Sequence, residues 1–277
     1  MVQIRENLVV SLNHILQTLE RKVIAVPGLS CSQDLSVSAA GESAYYFTRS
    51  ASSVTTGNLG AKMDYTSGGL TRVDIPMTSA IQIKSVLPNA NVATVSADVV
   101  GDRVIYETIN AANKYNEEFL KALCTSTGTI TGTTAATKST VYGIIVDAIK
   151  QFKLKNAAKG MKPTAIIVGP TFEALLMQAP EFLRSTALGD DVASYEGVIG
   201  KVAGLPVIVA VDMDESTSKI DFILVNQEGF GAPQNVNSLV VTDATQAGYP
   251  AGTLIAGEIG YGFKVADNDL VLIRKHA

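Results

Sequence analysis

Two aspartates that follow an apolar stretch have a spacing that could serve metal chemistry. Asp212 and Asp214 end the segment VIGKVAGLPVIVAVDMD, and two serines beyond them continue the alternate-position spacing of a calcium-binding loop. That loop needs glycine at its sixth position and a bidentate glutamate at its twelfth, whereas this sequence has Thr217 and Ile223 there. The spacing therefore favours a turn after a strand over a metal site.

Other groups that catalysis could use are few and far apart. The two histidines are His14, beside an apolar stripe, and His276, which we expect to fray near the end of the sequence. Cys31 and Cys124 each lack a second cysteine nearby, which argues against a disulfide framework or a zinc site. The loop GTITGTTAATKST separates its second glycine from Lys138, whereas a phosphate-binding loop joins them directly. The sequence thus predicts no catalytic residue, no cofactor and no metal.

Composition limits the classes of partner. Charged residues make up 17% of the chain, against roughly 25% in an average soluble domain. With 47% hydrophobic residues, much of the surface must be uncharged, as large protein contacts require. The net charge of −4 and the scattered basic residues argue against tight DNA binding. The longest apolar run, Val207 to Val211, is far shorter than the roughly 20 residues of a membrane-spanning helix. Polar residues interrupt the first apolar stretch of the sequence, so we do not expect it to act as a signal peptide.

The first 80 residues read as an arm and an extended excursion. The arm is an amphipathic helix running to about Lys22, because apolar residues recur at helical spacing. These are Ile4, Leu8, Leu12, Ile15 and Leu19. The stretch from Ser30 to Gly69 has only two short strand-like pieces, AYYFTR and KMDYT, so it cannot build its own core. A flexible linker is the alternative, but its four aromatic residues are not typical of linkers.

A long helix is the clearest element. After the strand-like DIPMTSAIQIKSV, apolar residues mainly four apart predict a helix from Ala97 to about Thr125, roughly 40 Å long. Lys114 with Glu118, and Glu117 with Lys121, are spaced to pair on its exposed side. We expect this helix to act as a strut.

The second half combines an α/β region with later strands. STVYGIIVDAIKQFK and PTFEALLMQ predict helices, and TAIIVG and GLPVIVAV predict buried strands between and after them. KIDFILV, NSLVVT, TLIAGEI and DLVLIR predict further strands, with Asp267 and Asp269 in a tight hairpin turn. The predicted fold class is therefore α+β.

The order of these parts resembles the major capsid protein of tailed bacteriophages, the Hong Kong 97 fold. IIVGPTFEALLMQAPEF, GVIGKVAGLPVIVAVDMD and GEIGYGFKVADNDLVLIR are similar to segments of that family. The resemblance implies an N-terminal arm at 1–34, an extended β-hairpin loop at 35–80 and a peripheral subdomain with the spine helix at 81–138. It further implies an α/β axial subdomain at 139–250, and strands at 251–277 that return to the peripheral subdomain.

The residues suggest how such a chain would assemble. The stripe on the arm and the aromatic excursion cannot be buried within one subunit, so we expect neighbouring copies to cover them. The expected assembly contacts are Leu8, Leu12, Tyr45, Tyr46, Phe47, Arg49, Lys62, Asp64 and Arg72. The four charged residues of this set are expected to form ion pairs where the loop overlaps the adjacent subunit. They are Arg49, Lys62, Asp64 and Arg72. Some family members crosslink a lysine of this loop to a neighbour's asparagine, and Lys62 is the lysine available here.

The resemblance implies self-assembly through hexamers and pentamers into an icosahedral shell around the double-stranded DNA genome of a tailed phage. The implied partners are other copies of the chain and a portal, with no membrane. Either a separate scaffolding protein is also implied or none is used. The implied location is the virion, after synthesis in the host cytoplasm. An encapsulin-like nanocompartment shares the fold and is the nearest alternative. A metal- or nucleotide-dependent enzyme that uses Asp212 and Asp214, and a tail or adhesin protein, are alternatives from other classes.

Overall fold

The computed structural model describes residues 43–49, 70–88, 99–132, 135–180, 182, 198–211, 213, 219–249 and 252–276. Over these ranges the chain is α+β, as predicted. The helices are α1 (Val99–Leu123), α2 (Val141–Lys155) and α3 (Pro170–Met177). The predicted N-terminal helix and the strand-like KMDYT lie outside the described residues.

The strands form four sheets in the described part of the chain. They are β1 (Ser43–Arg49), β2 (Leu70–Pro76), β3 (Ser79–Leu87), β4 (Ala165–Val168), β5 (Val198–Val202), β6 (Leu205–Val209), β7 (Ile220–Val225), β8 (Phe230–Gly231), β9 (Gln234–Asp243), β10 (Thr253–Tyr261), β11 (Lys264–Val265) and β12 (Val271–Lys275). The sheet orders are β1-β2, β3-β10-β9, β11-β8 and β12-β7-β4-β6-β5. Only β4 and β6 pair in parallel among these strands.

Helix α1 is the predicted strut. Its 25 residues give a length of roughly 37 Å. Its predicted inward stripe is buried from Val104 to Leu123. Two of its aromatic rings meet, edge to face, the rings of Phe230 in β8 and Phe263 just before β11. The ring centroids of Tyr115 and Phe263 lie 5.0 Å apart, and those of Phe119 and Phe230 lie 4.9 Å apart. These contacts fix α1 to the sheets along its length.

The five-stranded sheet is buried on both faces, which explains why its strands read as continuous apolar runs. Ala165 and Ile167 of β4 belong to one core cluster, which α1 and the three-stranded sheet also line. Ile166 and Val168 belong to a second cluster, with α2 and α3. One sheet therefore joins the strut to the α/β region through a shared core.

Two turns in apolar segments were not predicted from the sequence. DIPMTSAIQIKSV was predicted as one strand-like stretch, but β2 ends at Pro76 and β3 begins at Ser79 in a different sheet. The buried side chain of Met77 anchors the break between them. The predicted strand GLPVIVAV is present as β6, and the unpredicted turn before it, where Ala203 and Gly204 have positive φ of 51° and 82°, joins it to β5 in a hairpin. Two successive residues of this kind form the tight turn that reverses a chain.

The Asp267–Asp269 segment is a turn, but the predicted hairpin is wrong. The amide of Asp269 donates to Oδ1 of Asp267 at 2.9 Å, and the amide of Leu270 donates to the Asp267 carbonyl at 3.1 Å. However, the turn joins β11, which pairs with β8, to β12, which pairs with β7. Lys155 at the end of α2 and Lys159 in the short 3-10 turn after it bind its carboxylates, so the turn also ties the helix to the sheet.

Candidate functional site

The strands β1 and β2 form a hairpin that belongs to no larger sheet of the described chain. Because side chains alternate across a strand, the hairpin has two distinct faces. Ala44, Val73 and Ile75 are buried on the inner face, where Ala266 packs against the last two. This small cluster holds the hairpin to the rest of the described chain, which we call the body.

The outer face carries aromatic and charged side chains that remain exposed. We call Tyr45, Phe47, Arg72 and Asp74 the hairpin face. Tyr45 is 55% exposed and Phe47 is 51% exposed, and their rings meet edge to face with centroids 6.3 Å apart. In the strand register Tyr45 lies opposite Asp74 and Phe47 lies opposite Arg72.

Internal contacts organise the hairpin face. The Arg72 guanidinium lies 4.3 Å from the Tyr45 ring centroid, and its Nε donates to Asp74 Oδ1 at 2.7 Å. An ion pair with both side chains about half exposed contributes at most about 1 kcal/mol. The arrangement therefore presents a preformed patch of aromatic and ionic groups while adding little to subunit stability.

The base of the hairpin meets the body of the subunit closely. The Lys264 ammonium donates to the Asp74 carbonyl at 3.0 Å. A Cβ atom at Gly262 would lie only 2.5 Å from the Pro76 carbonyl oxygen, so glycine is required for this approach. Together with the buried Met77, these contacts determine where the hairpin leaves the body.

The structure places part of the predicted contact set on this hairpin. Tyr45, Tyr46, Phe47 and Arg49 lie in β1, and Arg72 lies in β2. Leu8, Leu12, Lys62 and Asp64 lie outside the described residues. The predicted pairing of the charged residues with a neighbouring subunit stays a prediction, and within the chain Arg72 pairs with Asp74.

A second exposed charged cluster lies on α1. The predicted pairs are confirmed, with Lys114 Nζ 3.4 Å from Glu118 Oε1 and Lys121 Nζ 2.6 Å from Glu117 Oε1. Each lysine also contacts the other glutamate, so the four charges form a network. Hydrogen bonds from Lys114 and Lys121 lower the pKa of Glu117 to about 2. The same contacts raise the pKa of Lys121.

The body contains a buried polar cluster that the sequence analysis missed. The histidine cluster consists of Asp221 in β7 with Arg274 and His276 at the end of β12. The Arg274 guanidinium binds Oδ2 of Asp221, and His276 Nδ1 lies 2.7 Å from Oδ1. The His276 amide also donates to the Lys219 carbonyl at 3.0 Å.

The prediction that His276 frays is therefore wrong. Antiparallel pairing of β12 with β7 brings it beside Asp221, a long-range contact that its position in the sequence does not reveal. Burial lowers the pKa of Arg274, and pairing with Asp221 offsets the cost of burying its charge. The available clue was that each of these two apolar strands has a charged residue near one end, Asp221 in β7 and Arg274 in β12.

Asp212 and Asp214 lie outside the described residues, so the geometry does not test the calcium-like spacing. Among the residues described, no three acidic, histidine or cysteine side chains converge as a metal site. No helix of that part is long and apolar enough to cross a bilayer.

Solved phage capsids share this fold. The capsid of cyanophage P-SCSP1u matches with a TM-score of 0.62 at 15% identity, over 90% of this chain and 86% of that chain. The mature capsid of bacteriophage PhiM1 matches with a TM-score of 0.60 at 12% identity, over 90% of this chain and 86% of that chain. The capsid of a native GTA particle matches with a TM-score of 0.61 at 14% identity, over 91% of this chain and 90% of that chain.

No family model matches the sequence, and no curated protein is similar to it. The resemblance predicted from the order of elements is confirmed at the level of the fold, which is that of phage capsid proteins.

Proposed function

We propose that this chain is the major capsid protein of a phage and that its copies assemble into a closed shell. The observation that carries the proposal is the shared fold over about nine-tenths of this chain and of the capsid chains. In this role the protein supplies a structural wall, and its polar groups serve stability and contacts between subunits. Catalysis has no part in the proposal.

The hairpin supplies a physical reason for self-association. A two-stranded sheet is marginally stable in water by itself, and this one leaves two aromatic side chains about half exposed. A partner that covers the hairpin face removes apolar area from water and completes the packing of Tyr45 and Phe47. We infer that the partner is another copy of the chain, because repeated identical contacts can close into a symmetric shell.

Many weak contacts can support such a shell. Each subunit would contact several neighbours, so the assembly persists even if a single contact is weak. We propose hexamers and pentamers as the intermediates and double-stranded DNA as the contents. The net charge of −4 suits a wall that does not hold the packaged DNA tightly. A portal and a separate scaffolding protein belong to the same proposal.

We propose the expected division of the chain, with the hairpin in the extended loop, α1 in the peripheral subdomain, and α2, α3 and β4 to β7 in the axial subdomain. Two strands depart from the expected bounds, because β9 of the range 139–250 pairs with β10 and β12 of the range 251–277 pairs with β7. Leu8 and Leu12 of the arm, with Lys62 and Asp64 of the loop, remain proposed contacts with neighbouring copies.

Sedimentation velocity and negative-stain electron microscopy test the proposal with the purified full chain. We expect rings or closed shells at micromolar concentration, and the double variant Tyr45→Asp with Phe47→Asp should assemble at least ten-fold less. Tyr249→Asp is the matched control, since Tyr249 is 50% exposed on a turn away from the hairpin. A folded wild-type protein that stays monomeric contradicts the shell function.

Equal assembly of the hairpin variant and the control would instead remove the hairpin face from the mechanism. Nuclease treatment of particles from infected or expressing cells separates a genome container from a cargo compartment. DNA protected inside the particles supports the phage capsid, whereas protected enzyme cargo without DNA supports the encapsulin-like alternative.

A further inference from the structure

A cavity of about 380 Å³ lies at one end of the five-stranded sheet, away from the hairpin face. Its walls are mostly apolar and include Ala136, Phe172, Leu175 and Ile220, with Thr171 among them, and its polar end is formed by Asp221 and His276. Phe172 is in the first turn of α3, directly after the carboxyl end of β4. In α/β sheets, ligands bind outside the carboxyl ends of strands.

The imidazole of His276 is held in one orientation by the buried carboxylate. Because an ionised carboxylate only accepts hydrogen bonds, its contact with Nδ1 assigns the proton to that nitrogen. Nε2 is then an acceptor in the neutral ring, and no described residue forms a hydrogen bond with it. The side chain is 32% exposed and lines the cavity, so Nε2 is available to a ligand there.

The lining limits the chemistry of that ligand. No described lysine or arginine lines the cavity, so an anion would lack an ionic partner. Asp221 already binds Arg274 and His276 with its two oxygens, so a cation would gain little from it. The remaining surface is mostly apolar, and an apolar cavity of about 150 Å³ is enough to hold benzene. A ring with a single hydrogen-bond donor fits both the walls and the free acceptor.

We propose that this cavity binds a phenol-type group, in which the ring contacts the apolar walls and the hydroxyl donates to Nε2 of His276. The group is either a free small phenol or the tyrosine side chain of a second copy. The inference does not rest on the shell function, since a cavity in one subunit can be tested without assembly.

Titration of the full-length, unassembled protein with p-cresol and with toluene tests the hydroxyl contact. We expect p-cresol to bind about five-fold more tightly than toluene, the effect of one neutral hydrogen bond. In protein labelled with ¹⁵N-histidine, p-cresol should shift the Nε2 resonance of His276 and toluene should not. His276→Ala should reduce the affinity ratio to about one while both rings still bind.

Two cavity-filling variants test the location. Ala136→Trp and Leu175→Trp should each abolish binding of both rings, and far-UV circular dichroism reports whether each variant is folded. Tyr249→Phe is the control and should bind like wild type, because Tyr249 does not line the cavity. Equal affinity for p-cresol and toluene, no binding of either, or unchanged binding in a folded filling variant overturns the proposal.

Assembled particles distinguish the two sources of the phenol group. If a tyrosine from another copy fills the cavity, particles should lose p-cresol binding and p-cresol should slow assembly. If the site takes a free phenol, particles should bind p-cresol with the affinity of the unassembled protein. Either result supports the phenol site, and a protein that never assembles is still tested by the titration.

Discussion

Replacing Gly128 with alanine should weaken the joint between α1 and the five-stranded sheet. The segment after α1 runs beside β12, where the Ile273 amide donates to the Gly128 carbonyl at 2.8 Å. The Ile130 amide returns a hydrogen bond to the Ile273 carbonyl at 3.0 Å. A Cβ atom on residue 128 would lie 2.0 Å from the Asn268 carbonyl oxygen and 2.4 Å from that of Val271.

The size of the effect follows from what must move. Both clashing atoms belong to the backbone, so no side-chain rotation relieves them, and the segment must shift by about 1 Å or more to restore ordinary contact distances. Such a shift breaks about two or three hydrogen bonds, at roughly 1 kcal/mol each. Alanine also restricts the unfolded chain, which returns about 0.4–1 kcal/mol. We expect a net loss of about 2 kcal/mol in the free energy of unfolding.

Urea denaturation of unassembled subunits, followed by circular dichroism, measures this loss. Gly143→Ala is the matched control, because Gly143 is exposed within α2 and a Cβ there meets nothing within 4 Å. The free energy of unfolding of that variant should rise by roughly 0.5–1 kcal/mol, since alanine is more stable than glycine within a helix. A Gly128→Ala protein as stable as wild type would refute the reasoning about the joint.

Two further predictions concern charged groups. The pKa of Glu117 is about 2 in the folded protein, below its ordinary value in the unfolded chain. Its carboxylate should therefore stabilise the fold at any pH above that ordinary value, and this stabilisation should be lost as the pH falls towards 2. Carboxyl NMR titration should give a midpoint near 2 that rises in Lys121→Met, whereas an ordinary midpoint in wild type contradicts the network. Asp221→Ala should cost about 3–5 kcal/mol because it removes the buried carboxylate that pairs with the Arg274 guanidinium, and adding Arg274→Met should recover most of that loss. Urea denaturation that finds no recovery argues against that pairing.

Local periodicity predicted much of the fold because the relevant interactions are themselves local. The stripe of α1, its i,i+4 ion pairs and Pro170 in the first turn of α3 depend on residues close in sequence. The buried strands were recognisable because a sheet covered on both faces needs continuous apolar runs.

The features that the sequence did not predict are turns and contacts between residues that are far apart in the sequence. The apolar residues on both sides of Ala203 and Gly204 hide a turn that needs two positive φ angles. Proximity of His276 to Asp221 depends on the register of β12 beside β7, which local sequence does not specify. The hairpin face was partly foreseen as exposed aromatics, but the stacking of Arg72 on Tyr45 depends on cross-strand pairing.

The distribution of buried residues indicates which part of the chain would adapt in the proposed assembly. Both core clusters meet on the five-stranded sheet, so displacing α1 from α2 and α3 would disrupt packing on the two faces of one layer. The hairpin instead rests on Val73, Ile75 and a few contacts at its base. A neighbour can therefore reorient the hairpin at far smaller energetic cost than it can deform the body. If the proposed shell forms, we expect the hairpin to adjust between unequal neighbours while α1 and the sheets stay rigid.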